Sequence, residues 1–248
     1  MIPHEPIRFD VFMQRALHDP ECGYYARTIR GIGRGGDFTT APKVSGLLAR
    51  ALAGWIQEAC RETGCREVIE LGPGDGALAE SILHELPWWK RIRMRYHMVE
   101  SSPTLALQQR ARLGRRVRHH ASIEAALAAC DGRALIFSNE LVDAFAVRRF
   151  EKAESGWREI FVHRDETGRI HETLMQAGPL PDSRALNESF QRGQRVEVHD
   201  SYRTWLAAWL PRWSHGRMLT IDYGGEIESL YHRRPHGTVR AYLLQQRL

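Results

Sequence analysis

An apolar run that ends in an acid and then meets glycine at every second position leaves a chain few options: Val68-Ile69-Glu70-Leu71-Gly72-Pro73-Gly74-Asp75-Gly76-Ala77-Leu78. The spacing predicts a strand, a tight turn and a helix rich in alanine and leucine. Glycine removes every Cβ at positions 72, 74 and 76, so a ligand can approach the backbone N–H groups that open the helix. A unit of this kind begins an open α/β sheet, and the predicted fold is a mostly parallel sheet with helices on both faces.

Two cofactor classes use such a loop. Gly72-x-Gly74-x-x-Ala77 satisfies G-x-G-x-x-G/A, which seats the pyrophosphate of a dinucleotide on the helix N-terminus. Gly76 and Glu70 fit better with E/D-x-G-x-G-x-G, the loop of class I S-adenosylmethionine (SAM) methyltransferases with their Rossmann-like fold. A carboxylate beneath the loop repels a pyrophosphate, whereas SAM carries a cationic ammonium and sulfonium. SAM is therefore the expected cofactor, held by Glu70, Gly72, Gly74 and Gly76. A dehydrogenase and a glycine turn without ligand remain the alternatives.

Elsewhere the chain supplies the partners such a loop needs. Apolar residues at 44, 47, 48, 51, 52, 55, 56 and 59 predict an amphipathic helix before it. A second strand over 96–99 ends at Glu100, where an acid hydrogen-bonds ribose hydroxyls, with Ser101 beside it. A third strand near 117–119 places Ala121 and Ser122 by the adenine, between predicted helices at 103–113 and 123–129. The fourth strand, 134–138, runs into Asn139, Glu140 and Asp143, where a methyl acceptor should stand; a polar helix cap is the competing reading. Residues 147–174 alternate in short pieces around the turn Asp165-Glu166-Thr167-Gly168, which predicts an antiparallel insertion over about 146–200. A helix carrying Trp205, Trp209 and Trp213 follows, then strands at 217–221 and 238–244.

The domain division expected from this order is an N-terminal part, 1–62, with a short helix at 7–17 and a loop containing Gly31, Gly33, Gly35 and Gly36, followed by the cofactor-binding domain, 63–248. With 43% hydrophobic residues and a formal charge of +5, composition is that of an ordinary globular protein. A pI near 9.2 permits acidic partners without demanding nucleic acid. The arginines from 110 to 118 with His119-His120 read as a solvated helix end before a phosphate patch, and no metal spacing is present. Four cysteines without C-x-x-C spacing suit reduced thiols, and the absence of a leader-like N-terminus or long apolar run gives a cytoplasmic expectation.

Six blocks in order carry a resemblance: Pro6 to Met13 with Asp19-Pro20-Glu21-Cys22-Gly23-Tyr24-Tyr25, Gly36-Asp37-Phe38-Thr39-Thr40-Ala41-Pro42, the Glu70 to Gly76 loop, Asn139-Glu140 with Asp143-Ala144, Asp222-Tyr223-Gly224, and Gly237 to Tyr242. Over nearly its whole length the chain resembles MidA-type SAM-dependent methyltransferases, a family that includes the mitochondrial complex I assembly factor acting as a protein arginine methyltransferase. The resemblance implies a protein substrate, an arginine acceptor, and assistance to respiratory complex assembly. It implies that Gly36, Phe38, Thr39 and Pro42 bind substrate and that Asn139 touches the cofactor. A guanidinium keeps its proton, so carboxylates must pair with it, and Glu140, Asp143 and Asp37 are the candidates. The chain departs from the family pattern at Asp75, where arginine is usual, and at Lys43, where an acid is. It also resembles a C-terminally short form, whose sheet edge invites a homodimer. A non-catalytic SAM-binding assembly factor or pseudoenzyme is the main alternative. A nucleic-acid methyltransferase is less favoured, because the residues after the fourth strand lack N/D-P-P-Y/F.

Overall fold

The computed structural model describes residues 3–25, 42–240, 242–243 and 246–247, and they divide into two compact units. The order along the chain is β1 (Ile7–Arg8), α1 (Phe9–His18), α2 (Pro42–Thr63), β2 (Glu67–Leu71), α3 (Ala77–Glu85), α4 (Trp88–Arg93), β3 (Arg95–Val99), α5 (Pro103–Leu113), β4 (Arg118–His120), α6 (Ile123–Ala129) and β5 (Leu135–Asn139). There follow β6 (Arg148–Ala153), β7 (Gly156–Arg164), β8 (Ile170–Gln176), α7 (Arg184–Asn187), β9 (Arg195–Val198), α8 (Asp200–Trp209), β10 (Met218–Ile221), α9 (Ile227–His232), β11 (Tyr242–Leu243) and β12 (Gln246–Arg247).

The unit formed by residues 24–141 and 206–222 is built on a parallel sheet in the order β10-β5-β2-β3-β4. Its central strand β2 is buried along its whole length, as a strand covered on both faces must be. On one face Val68, Tyr96, Met98, Leu135 and Phe137 pack with Leu52, Ile56 and Ala59 of α2 and Ile82 of α3. The α2 residues recur at helical spacing, which is why the apolar pattern after residue 44 is a helix. On the other face Ile69, Leu71 and Ile136 are equally buried, and Cys130 at the end of α6 approaches His97. The predicted α/β sheet with helices on both faces is what forms.

The unit formed by residues 1–23, 142–205 and 223–248 holds an antiparallel sheet in the order β1-β7-β6-β9, with β8 on β7. Its turn is where the sequence puts it: the Asp165 carboxylate accepts the N–H groups of Thr167 and Arg169, and Gly168 has φ +87°. Phe150, Trp157, Val196, Val198 and Tyr231 form its core. The N-terminal segment is strand before helix, since Ile7 and Arg8 pair with Val162 and Phe161.

Two expectations change. The tryptophan helix stops at Trp209 and tightens into a 3-10 turn at Leu210–Arg212, because Pro211 withholds an N–H. The strand expected over 238–244 is absent at Thr238: its N–H and hydroxyl both bond the Glu197 carboxylate, at 2.9 and 2.8 Å, so its donors leave the sheet ladder. Tyr242–Leu243 pairs instead with Gln246–Arg247.

Candidate functional site

The glycine loop leaves β2 and turns into α3 through three left-handed glycines, φ +63° at 72, +58° at 74 and +82° at 76. Position 76 caps α3, and a Cβ there would stand 3.2 Å from Leu113 Cδ1, so conformation and space both require glycine. The loop is braced from α5. Gln109 Nε2 donates to the Gly74 carbonyl at 2.6 Å, and Arg112 donates to the Asp75 carbonyl at 3.1 Å and to its Oδ2 at 2.8 Å.

Glu100 follows β3, its N–H on the His120 carbonyl and its Oε1 accepting Ser102 N–H at 2.8 Å. Burial raises its pKa, opposed mainly by the N–H groups of Ser102 and Ser101. Gln109 Nε2 lies 3.5 Å from Glu100 Oε2, so one side chain ties the loop to the acid, while its Oε1 is buried without a partner among the described residues. A buried lone acceptor and a half-sequestered carboxylate beside a glycine loop suit a ligand with several hydroxyl and amino donors.

Between the ends of β3 and β4 lies a cavity of ≈ 190 Å³, lined by Glu100, Ser101, Ala121, Pro103, Arg110 and His119, among others. Three residues expected from sequence thus share one wall. Ser122 has another task, its hydroxyl capping α6 by accepting Ala125 N–H at 3.3 Å. Sequence reasoning overlooked Gln109 and read Arg110, Arg112 and His119 as a solvated helix end rather than as part of this wall or of the loop's bracing. His120, which also lines the cavity, continues into a buried chain: its Nε2 meets His97 Nδ1 at 2.9 Å, and His97 Nε2 meets Glu67 Oε2 at 2.8 Å. Arg95 pairs with the same Glu67. A carboxylate held by arginine can only accept, so His97 donates from Nε2 and its Nδ1 accepts from His120.

Glu70 sits differently from expectation. Its carboxyl is buried against Tyr96, whose hydroxyl donates to Oε2 at 2.8 Å, and burial pushes its pKa up to about 7. Asn139 ends β5, and no regular helix begins at 139–141: Glu140 is held at φ +51° with its N–H on the Ile221 carbonyl. Glu140 and Asp143 therefore do not share the face of a regular helix, since a left-handed residue cannot start a right-handed turn. Asp143 lies in a 3-10 turn, Val142–Ala144. Gly36, Asp37, Phe38 and Thr39 fall outside the described residues, and Pro42 opens α2.

A family model of S-adenosyl-L-methionine-dependent methyltransferases matches residues 48–248. Among curated proteins, "Protein arginine methyltransferase NDUFAF7, mitochondrial" of Danio rerio is 26% identical over 249 residues, covering 88% of this chain and 58% of that protein. The Homo sapiens protein of that name is 27% identical, over 64% of this chain and 42% of its own length. A Burkholderia thailandensis protein crystallised bound to S-adenosyl-homocysteine superposes with a TM-score of 0.79 at 29% identity, covering 95% of this chain and 63% of that one. This chain spans about half the length of the curated relatives it matches.

Proposed function

Because this chain belongs to the S-adenosyl-L-methionine-dependent methyltransferase family, we propose that it binds SAM along the glycine loop and the Glu100 cavity and methylates an arginine side chain of a protein. The observation that carries the reading is Gln109, which joins the Gly74 carbonyl to the Glu100 carboxylate and so makes one cradle of loop and acid. Glu100 offers acceptors to ribose hydroxyls, Ser101 and Ala121 line the neighbouring cavity, and Asn139 stands at the end of β5. Bound there, SAM supplies an electrophilic methyl on a sulfonium. Transfer to a neutral-leaving donor asks the protein chiefly for alignment and a proton acceptor. Glu140 and Asp143, three residues apart, and Asp37 are the carboxylates assigned to the guanidinium, Glu140 taking the proton at its carboxylate. Gly36, Phe38, Thr39 and Pro42 are assigned to the substrate.

The relatives named as arginine methyltransferases support the acceptor, and their mitochondrial names are compatible with a respiratory complex subunit as the substrate. A cytoplasmic or other reducing location is part of the proposal, supported by four free cysteines. So is a homodimer: among the described residues β10 pairs only with β5 and leaves an edge. No helix among the described residues is long and apolar enough to cross a membrane.

Incubating the chain with tritiated SAM and cell lysate tests the activity. A labelled protein band, identified by mass spectrometry as methylarginine, supports the reading. A labelled RNA band replaces it with nucleic-acid methylation. No label, with SAM binding intact by calorimetry, replaces it with a SAM-binding assembly factor.

A further inference from the structure

Helix α4, Trp88 to Arg93, buries none of its residues. Trp88 is 67% exposed, Trp89 45% and Ile92 74%. Ile92 lies four residues from Trp88 and three from Trp89, so on a helix the three form one continuous apolar ridge. Leu47 and Leu107 are as exposed but stand singly, and isolated apolar residues on a surface are ordinary. A ridge with two tryptophans is not, because leaving it in water forgoes the largest apolar area a side chain offers.

The same helix carries Lys90, Arg91 and Arg93, and from Leu86 to Val99 the sequence has no acid at all. Lys90 Nζ stands 5.2 Å from the Trp89 ring, which keeps cation and aromatic side by side. In the other dense basic stretch two arginines are engaged within the protein: Arg112 is paired with Asp75 and Glu80, and Arg116 with Glu80. Among the described residues, Lys90, Arg91 and Arg93 form no ion pair. Indole rings favour the boundary between headgroups and acyl chains, and neighbouring cations are drawn to anionic headgroups.

We propose that α4 docks this protein on the surface of a bilayer containing anionic lipid, with Trp88, Trp89 and Ile92 inserted to headgroup depth and Lys90, Arg91 and Arg93 on the phosphates. The contact is peripheral, as a single short amphipathic turn with three cations gives reversible attachment. Its place at the end of β3 that opposes Glu100 leaves the cofactor cavity uninvolved. The inference stands on α4 alone and is independent of the reaction proposed above.

The test is cosedimentation of the full chain with phosphatidylcholine vesicles, with and without phosphatidylglycerol. Binding is expected only with phosphatidylglycerol, and it should fall steeply between about 0.1 M and about 0.5 M salt. Trp88→Ser/Trp89→Ser leaves net charge unchanged and should weaken partitioning about tenfold or more; Lys90→Glu/Arg91→Glu should abolish it. None of the four residues is buried, and an unchanged thermal transition confirms that each variant is folded. No binding to phosphatidylglycerol vesicles, or equal binding by both variants, overturns the proposal. Light scattering that finds a dimer made monomeric by Trp88→Ser/Trp89→Ser also overturns it, since the ridge would then be covered by a second copy.

Discussion

Two carboxylates, Glu100 and Glu140, divide binding from chemistry in the proposed site. Glu100→Ala should weaken SAM binding by tenfold or more in calorimetry, since hydrogen bonds to a charged acceptor contribute about 1.5–3 kcal/mol each. Glu140→Gln should lower methyl transfer and leave SAM affinity intact; if transfer survives, the clamp on the guanidinium is misassigned. Glu70 makes a prediction of the opposite kind. Its folded pKa is about 7, above the ordinary 4.5 of a free glutamate. Below that lower value both states hold the proton; as pH rises through the window the unfolded chain releases it first, and folding loses stability. The loss is about 3 kcal/mol once pH passes 7. Glu70→Gln does not titrate, so its thermal midpoint should gain on the parent between pH 4.5 and 7 and hold that gain above. A gap that does not change with pH would show that Glu70 ionises normally.

The loop between β2 and α3 is an element whose geometry is set by conformation as much as by contact. Gly76→Ala at φ +82° should cost about 1–2 kcal/mol from the left-handed backbone alone, with Leu113 crowding added, and should loosen SAM binding because the loop must shift. Denaturant midpoints against calorimetry check both. Elements of this sort were readable in advance: the β2 run, the α2 stripe, the acid after β3 and the Asp165 turn each follow from a local pattern. What escaped were residues acting across elements. Gln109 left a trace, a polar residue in the stripe Leu105, Gln109, Leu113, all three buried. Arg112 left none, because its partner Asp75 is 37 positions away. The break after Asn139 was unreadable for another reason: glutamate seldom adopts a left-handed backbone, and the pairing of Glu140 N–H with the Ile221 carbonyl, a residue 81 positions away, helps fix it there.

At the scale of the molecule, the cradle belongs to the unit with the parallel sheet. Ligand at about a hundred times its Kd stabilises by about 2.7 kcal/mol, so S-adenosyl-homocysteine should raise the melting midpoint by about 5–10 °C. Glu100→Ala should cut that rise by about half or more at the same ligand concentration, and calorimetry in which a separate transition moves while this one does not would place the ligand elsewhere. The family match covers this same cradle, and the cradle contains a reversal of charge relative to the pattern that the sequence resembles. Where the resemblance implies arginine between the second and third glycines, this chain has Asp75, and Arg112 brings a guanidinium to it from α5. The two positions are expected to change together. Lineages that restore arginine at 75 should be found to have given up the arginine at 112, so that across an alignment the pair drifts together, neither changing without the other.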